Sequence, residues 1–141
     1  MKNKQACFSH QSDIWETPKK YYNNMMARGW FDPCPINPKF DGLRINWHKK
    51  NFVNPPYSQI KEWVDKAIEE HKKGHEIILF VPARTDTKWF EKLFYYGAEF
   101  NFITGRIKFS GKQGAPFPSV VIELTGKESW MTLIPNEIYN D

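Results

Sequence analysis

Cysteine is scarce in this chain. Cys7 and Cys34 are the only two and lie far apart in sequence, which excludes a disulfide framework and a cysteine-rich zinc site. No apolar run approaches the roughly 20 residues of a membrane span, and no signal-like apolar segment follows Met1, so a soluble intracellular chain with free thiols is expected. Linker-like and low-complexity stretches are missing too, which leaves the 141 residues for one domain with a single core. His10, His48, His71 and His75 show no metal-ligand spacing with other donors, so no metal is expected.

What is present is globular in character: 40% hydrophobic and 16% aromatic residues, with charge of both signs. The formal charge of +4 is spread over scattered lysines, which permits a polyanionic partner without demanding one.

Helical and extended stretches alternate. Thr17-Pro18 reads as an N-cap followed by proline at the first helical position, and Tyr21, Tyr22, Met25 and Met26 predict a helix over 18–28, stopped by Gly29. Trp30-Phe31 is a very short apolar run before Asp32, and Pro33, Pro35 and Pro38 then impose an irregular loop. Phe52-Val53 is the next run; after it Ile60, Trp63, Val64, Ala67 and Ile68 recur at helical spacing up to Gly74. The continuous apolar stretch over 76–82 predicts a central strand buried on both faces. A third helix follows Thr85-Asp86 and closes at Gly97, and two further strands are joined by a loop over 105–118. This alternation predicts an α/β sandwich with a mostly parallel sheet and a C-terminal antiparallel hairpin. In such sheets ligands bind outside the carboxyl ends of the strands, where Asp32, Asn54 and Pro82 fall.

The corner Asn54-Pro55-Pro56-Tyr57 carries the chemistry. As structure alone it is a proline turn closing a strand. As a site it fixes two hydrogen-bond acceptors, the Asn54 carboxamide oxygen and the Pro55 carbonyl, on rigid backbone. An exocyclic adenine amine is a poor nucleophile because its lone pair is delocalised into the ring. Two preorganised acceptors for its N–H groups favour a nitrogen whose lone pair points at a methyl donor. Tyr57 offers a face for a base, which must leave its duplex stack to arrive there.

With FSHQSDIWETP, FDPCP, DGL, VPARTDTKWF and GRIKFSGKQGAPFPSVVIEL in that order around the corner, the sequence resembles the phage-type DNA adenine N6-methyltransferases over about residues 8–124. The resemblance implies a Rossmann-like methyltransferase sandwich, expected here in reduced form as one domain, since no room remains for a separate target-recognition domain. It also implies S-adenosylmethionine as methyl donor, and DNA as partner, with no membrane and a homodimer left open. Host cytoplasm is the expected location if a phage encodes the chain. Asn54, Pro55, Pro56 and Tyr57 take the catalytic roles. Asp32 lies beside the methionine part of the cofactor, with Phe31, Pro33 and Cys34 shaping that wall, and Phe8, Ser9, Thr17 and Pro18 fold over it. For Thr17 the N-cap role stands beside this one.

The chain departs from the family pattern between Asp32 and Asn54, where too few residues remain for a strand-helix-strand unit of about 30. No glycine-rich phosphate loop follows Asp32. Asp41 is the remaining acid for the ribose hydroxyls, or else half of an Asp-Gly turn. DNA contacts fall to two loops, through Arg84, Asp86 and Lys88 and through Arg106, Lys108 and Lys112. Arg84 and Asp86 either orient the flipped base or cap the third helix. Two other readings stay open: methylation of an RNA base or a protein amide, and a catalytically silent nucleic-acid-binding subunit.

Overall fold

The computed structural model describes residues 15–109 and 114–140. Three helices, α1 (Lys19–Ala27), α2 (Ile60–Lys72) and α3 (Lys88–Tyr96), enclose five strands: β1 (Lys50–Val53), β2 (Glu76–Pro82), β3 (Ala98–Thr104), β4 (Ser119–Leu124) and β5 (Trp130–Pro135). The sheet order is β1-β2-β4-β3-β5. β1 pairs parallel to β2 and β3 parallel to β5, while β4 runs antiparallel to both β2 and β3. Hence β1, β2, β3 and β5 point one way, and the residues that follow β1, β2 and β3 emerge along one edge of the sheet.

Alternation along the strands sends side chains into two cores. On one face Val53, Leu79, Val81, Val120 and Ile122 meet Trp63, Val64 and Ala67 of α2 and Phe90 and Leu93 of α3. On the other, Phe52, Phe80 and Val121 meet Met25 of α1, Phe109 and Tyr139. Burying each large side chain contributes about 1.5–3 kcal/mol, so two filled faces suffice for a thin sheet. The chain thus forms the reduced Rossmann-like sandwich expected from its sequence.

Some elements differ from expectation. Helix α1 starts at Lys19, with Pro18 in the cap position and no side-chain cap bond, so Thr17 does not cap it. Helix α3 is capped by Thr87, whose Oγ1 accepts from Phe90 N at 3.3 Å. Trp30-Phe31 is too short to lay down a strand: Phe31 forms a single parallel bridge to Asn51 through two backbone bonds of 2.8 Å. β2 is interior and nearly wholly buried, but β4 holds the middle of the sheet. The β3–β4 hairpin is present, but a fifth strand follows it. β5 leaves Trp130, Met131 and Leu133 exposed, so no amphipathic alternation announces it. Its pairing with β3, reinforced by Thr132 Oγ1 donating to Asn101 Oδ1 at 2.6 Å, creates it instead.

The short connection over 33–49 is pinned from inside. Glu70 is fully buried on α2 and accepts from Trp47 N (3.1 Å), Lys66 Nζ (2.9 Å) and Lys73 Nζ (2.8 Å), with His75 Nδ1 at 2.9 Å. Burial alone would raise its pKa, but the bonds from Lys73, Lys66 and the Trp47 N–H outweigh it and hold the carboxylate at about 2. Trp47 Nε1 donates to Gly42 O at 2.7 Å. A Cβ on Gly42 would stand 2.0 Å from the Pro33 oxygen and 2.7 Å from the Trp63 ring, so only glycine fits there. Among the described residues no helix is long and apolar enough to cross a membrane.

Candidate active site

Along the carboxyl edge of the sheet lies a cavity of about 370 Å³. Three stretches distant in sequence line it: the segment before α1 with one side of that helix, the chain after Phe31, and the Asn54–Pro56 corner. Lys19, Tyr22 and Asn23 lie at i, i+3 and i+4, which puts them on one side of α1, facing the cavity, while Met25 enters the core.

Asp32 lines the same cavity as the corner. Its Oδ2 accepts from the Tyr22 hydroxyl at 2.9 Å and its Oδ1 from Cys34 N at 2.8 Å. Burial pushes its pKa up to about 6 against the downward pull of those two bonds. Tyr22 is pushed well above the ordinary phenol value by burial and by the Asp32 charge, so it remains the donor. Among the described residues no ion pair compensates Asp32, and such a carboxylate suits a cationic ligand group.

The Asn54 carboxamide nitrogen donates to Trp15 O at 2.6 Å and to Thr17 Oγ1 at 3.0 Å. Both hydrogens of that amide are therefore engaged by the segment ahead of α1, and Oδ1 is left as its acceptor. Pro55 and Pro56 are buried behind it, and a short 3₁₀ turn over Tyr57–Gln59 leads into α2. Tyr57 lies beyond the prolines. Its ring meets the Phe117 ring edge-on at 5.2 Å and lines a second cavity of about 170 Å³ with Arg84, Thr87 and Trp89. Its hydroxyl is buried, without a hydrogen-bond partner among the described residues, and burial holds its pKa far above the ordinary phenol value.

Of the residues expected from sequence, Thr17, Asp32, Cys34, Asn54, Pro55 and Pro56 meet at the larger cavity. Pro18 and Pro33 are buried behind its wall rather than lining it. Asp41 does not line it either: Oδ1 accepts from Leu43 N at 3.0 Å and Oδ2 lies 3.4 Å from Arg44 Nε, closing the Asp-Gly turn. Cys34 is disulfide-bonded, not the free thiol expected; distance in sequence does not fix distance in space. Cys7, Phe8, Ser9, His10 and Lys112 lie outside the described residues. Among the described residues no cluster of His, Cys, Asp and Glu could hold a metal.

Arg84 and Asp86 form an exposed pair 3.5 Å apart after β2, and Lys88 pairs with Glu91 at 3.5 Å on the first turn of α3. Neither side chain of the Arg84–Asp86 pair caps α3, since Thr87 does. Arg106 and Lys108 are exposed beyond the end of β3, on an arm that returns through a bridge between Lys108 and Gly114. All emerge on the edge that carries Asn54.

Sequence reasoning missed Trp15 and Tyr22. The bond from Trp15 uses a backbone carbonyl, which no side chain advertises. Tyr22 sits among core-facing residues, and only the lining of the cavity by Lys19 and Asn23 on the same side of the helix separates it from them.

The family model for DNA N-6-adenine-methyltransferase (Dam) matches residues 33–128. The chain belongs to this family. A DNA N-6-adenine-methyltransferase of Escherichia phage T1 is 30% identical over 106 residues, covering 64% of this chain and 44% of that protein, so the chain spans less than half of its relative's length. Among solved structures, a predicted O-methyltransferase from Agrobacterium tumefaciens is similar with a TM-score of 0.43 and 15% identity, over 75% of this chain and 50% of that one. The match to the Dam family runs through Asp32's neighbours, the Asn-Pro-Pro-Tyr corner and both exposed basic loops.

Proposed function

We propose that this Dam-family chain transfers a methyl group from S-adenosylmethionine to N6 of an adenine in DNA, working as a single domain. The observation that carries this reading is the larger cavity, whose lining brings together a cation-seeking carboxylate and the fixed Asn54–Pro56 corner.

The residues present fit the cofactor. A volume of about 370 Å³ lies within the range for small-molecule sites, and Asp32 suits the ammonium of its methionine part. Tyr22 and the Cys34 N–H hold that carboxylate in place, and Ile36 with Pro35 offers apolar wall. When bound, S-adenosylmethionine supplies an electrophilic methyl carbon.

The chain's own residues deal with the amine. Asn54 Oδ1 and the Pro55 carbonyl accept its two N–H groups, which turns the nitrogen lone pair toward the methyl donor. Because the corner is rigid, these dipoles need no reorganisation during reaction. Tyr57 and Phe117 provide aromatic surface for the flipped base on the far side of the prolines, with Arg84 beside it. Arg106, Lys108 and Lys88 meet DNA phosphates.

The test is transfer of labelled methyl to DNA by the purified chain, with N6-methyladenine identified in the digest. Asn54→Ala is expected to lower turnover by about 10² or more while cofactor binding persists. Absence of label on adenine from a folded protein that binds the cofactor would overturn the reading.

A further inference from the structure

We infer that Trp15 and Thr17 are positioning residues that lock the Asn54 carboxamide in one of its two flips, making asparagine rather than aspartate the residue this corner requires. The inference rests on the methyl-transfer reading for its consequence, but on geometry alone for the lock itself.

A carboxamide is nearly symmetric in shape, and a half-turn about its last bond exchanges donor for acceptor. Toward an exocyclic amine the two flips are opposites: oxygen outward accepts an N–H, whereas nitrogen outward sets donor against donor. The neighbour at 2.6 Å decides the flip, because the Trp15 carbonyl has no proton to give. Whatever faces it must be the NH₂ group. The Thr17 hydroxyl accepts the second hydrogen at 3.0 Å. With both hydrogens placed, Oδ1 is on the remaining branch of a side chain that lines the cavity.

The lock is itself held at both ends. The Trp15 indole meets Phe109 edge-on at 5.6 Å and Phe117 at 5.2 Å, so its side chain anchors its own carbonyl. Beyond Thr17, the buried Pro18 gives its carbonyl to Tyr22 N at 2.9 Å and starts α1. The same Phe117 meets Tyr57 at 5.2 Å, which ties the lock to the base side of the corner. An aspartate at position 54 would bring a carboxylate oxygen against the Trp15 carbonyl, acceptor against acceptor, and would lose the bond that sets the orientation.

Three variants and one spectrum test this. Thr17→Val is expected to lower kcat about tenfold, the worth of one neutral hydrogen bond, while KM for DNA moves less than about twofold. Thr17→Ser is expected to restore kcat. Asn54→Asp is expected to lose about 10² or more in kcat although its shape is unchanged. Independently of turnover, the Asn54 side-chain amide resonances, assigned by their absence in Asn54→Ala, are expected to show both hydrogens protected from exchange, and Thr17→Val to expose one. The inference is overturned if Thr17→Val keeps full kcat, if Asn54→Asp works as well as the native chain, or if the Asn54 amide exchanges freely. If the native chain methylates no adenine at all, the proposed function fails, and the exchange spectrum still decides whether the lock exists.

Discussion

The Tyr22 phenol donates to Asp32 Oδ2 across 2.9 Å, joining a helix to the end of a one-residue strand remnant. Even with this bond, burial keeps the Asp32 pKa at about 6. For an acid whose folded pKa lies above the ordinary value of about 4, the folded state binds more protons between the two, so stability without ligand falls as pH rises from about 4 to 6. A cationic ligand group reverses the preference, and affinity for S-adenosylmethionine is expected to rise as pH passes about 6. Titration calorimetry at about pH 5 and about pH 7.5 checks this, with equal affinities counting against it. Tyr22→Phe is expected to weaken binding about tenfold at the higher pH.

Gly42 sits where the 33–49 connection crosses α2. Its substitution by alanine would place a methyl 2.0 Å from the Pro33 oxygen. Backbone cannot yield as a flexible side chain can, so Gly42→Ala is expected to cost about 1–3 kcal/mol in urea unfolding. Cofactor affinity should fall with it, because Pro33 lies between Asp32 and Cys34. A variant as stable as the native chain would show that the crossing is looser than the geometry requires.

Glu70 is a buried carboxylate with four partners. Glu70→Ala would leave the Trp47 N–H without its acceptor, and Lys66, which is mostly buried, with only the longer contact to Glu69 at 3.8 Å. A loss of about 3 kcal/mol is expected, at the low end for a broken buried pair because Lys73 is 43% exposed and can turn to water. Since the pKa is depressed to about 2, the native chain holds this contribution above the ordinary carboxylate range and sheds it as pH falls toward 2. The variant's midpoint should therefore approach that of the native protein in acid.

Arg106 and Lys108 are exposed on the arm beyond β3. Replacing either with alanine is expected to weaken DNA binding evenly across sequences and to lower the salt slope of log K by about 1 each. Fluorescence anisotropy over a salt series measures both. A change confined to one DNA sequence would instead assign the residue to base contact.

Much of this was legible in the sequence. Helical spacing after Tyr57 gave α2 almost to the residue, and the apolar run over 76–82 gave β2, because both elements are set by one-dimensional patterns of burial. The Asn54 corner was legible for a different reason: its residue types are rare in that order. β5 was not, since an edge strand exposed on both faces has no pattern and exists through its partner β3. Thr17 reads from sequence either as an N-cap or as part of a cofactor flap; it does not cap α1, and its hydroxyl accepts from Asn54, a contact between residues far apart in sequence. Asp41 shows the converse, a motif match whose side chain is spent on its own turn.

The sheet order also sets a timetable. β2 leaves the ribosome with β1 already available on one side, but its other neighbour is β4, which follows the whole of α3 and β3 in the chain. Phe117, which holds Trp15 and Tyr57 together, arrives just ahead of β4. A nascent chain that has already displayed the Asn-Pro-Pro-Tyr corner therefore has neither a closed sheet nor a fixed Asn54. Such late, long-range closure is slow compared with local helix formation. The corner is therefore fixed only once β4 has been made, well after its own residues.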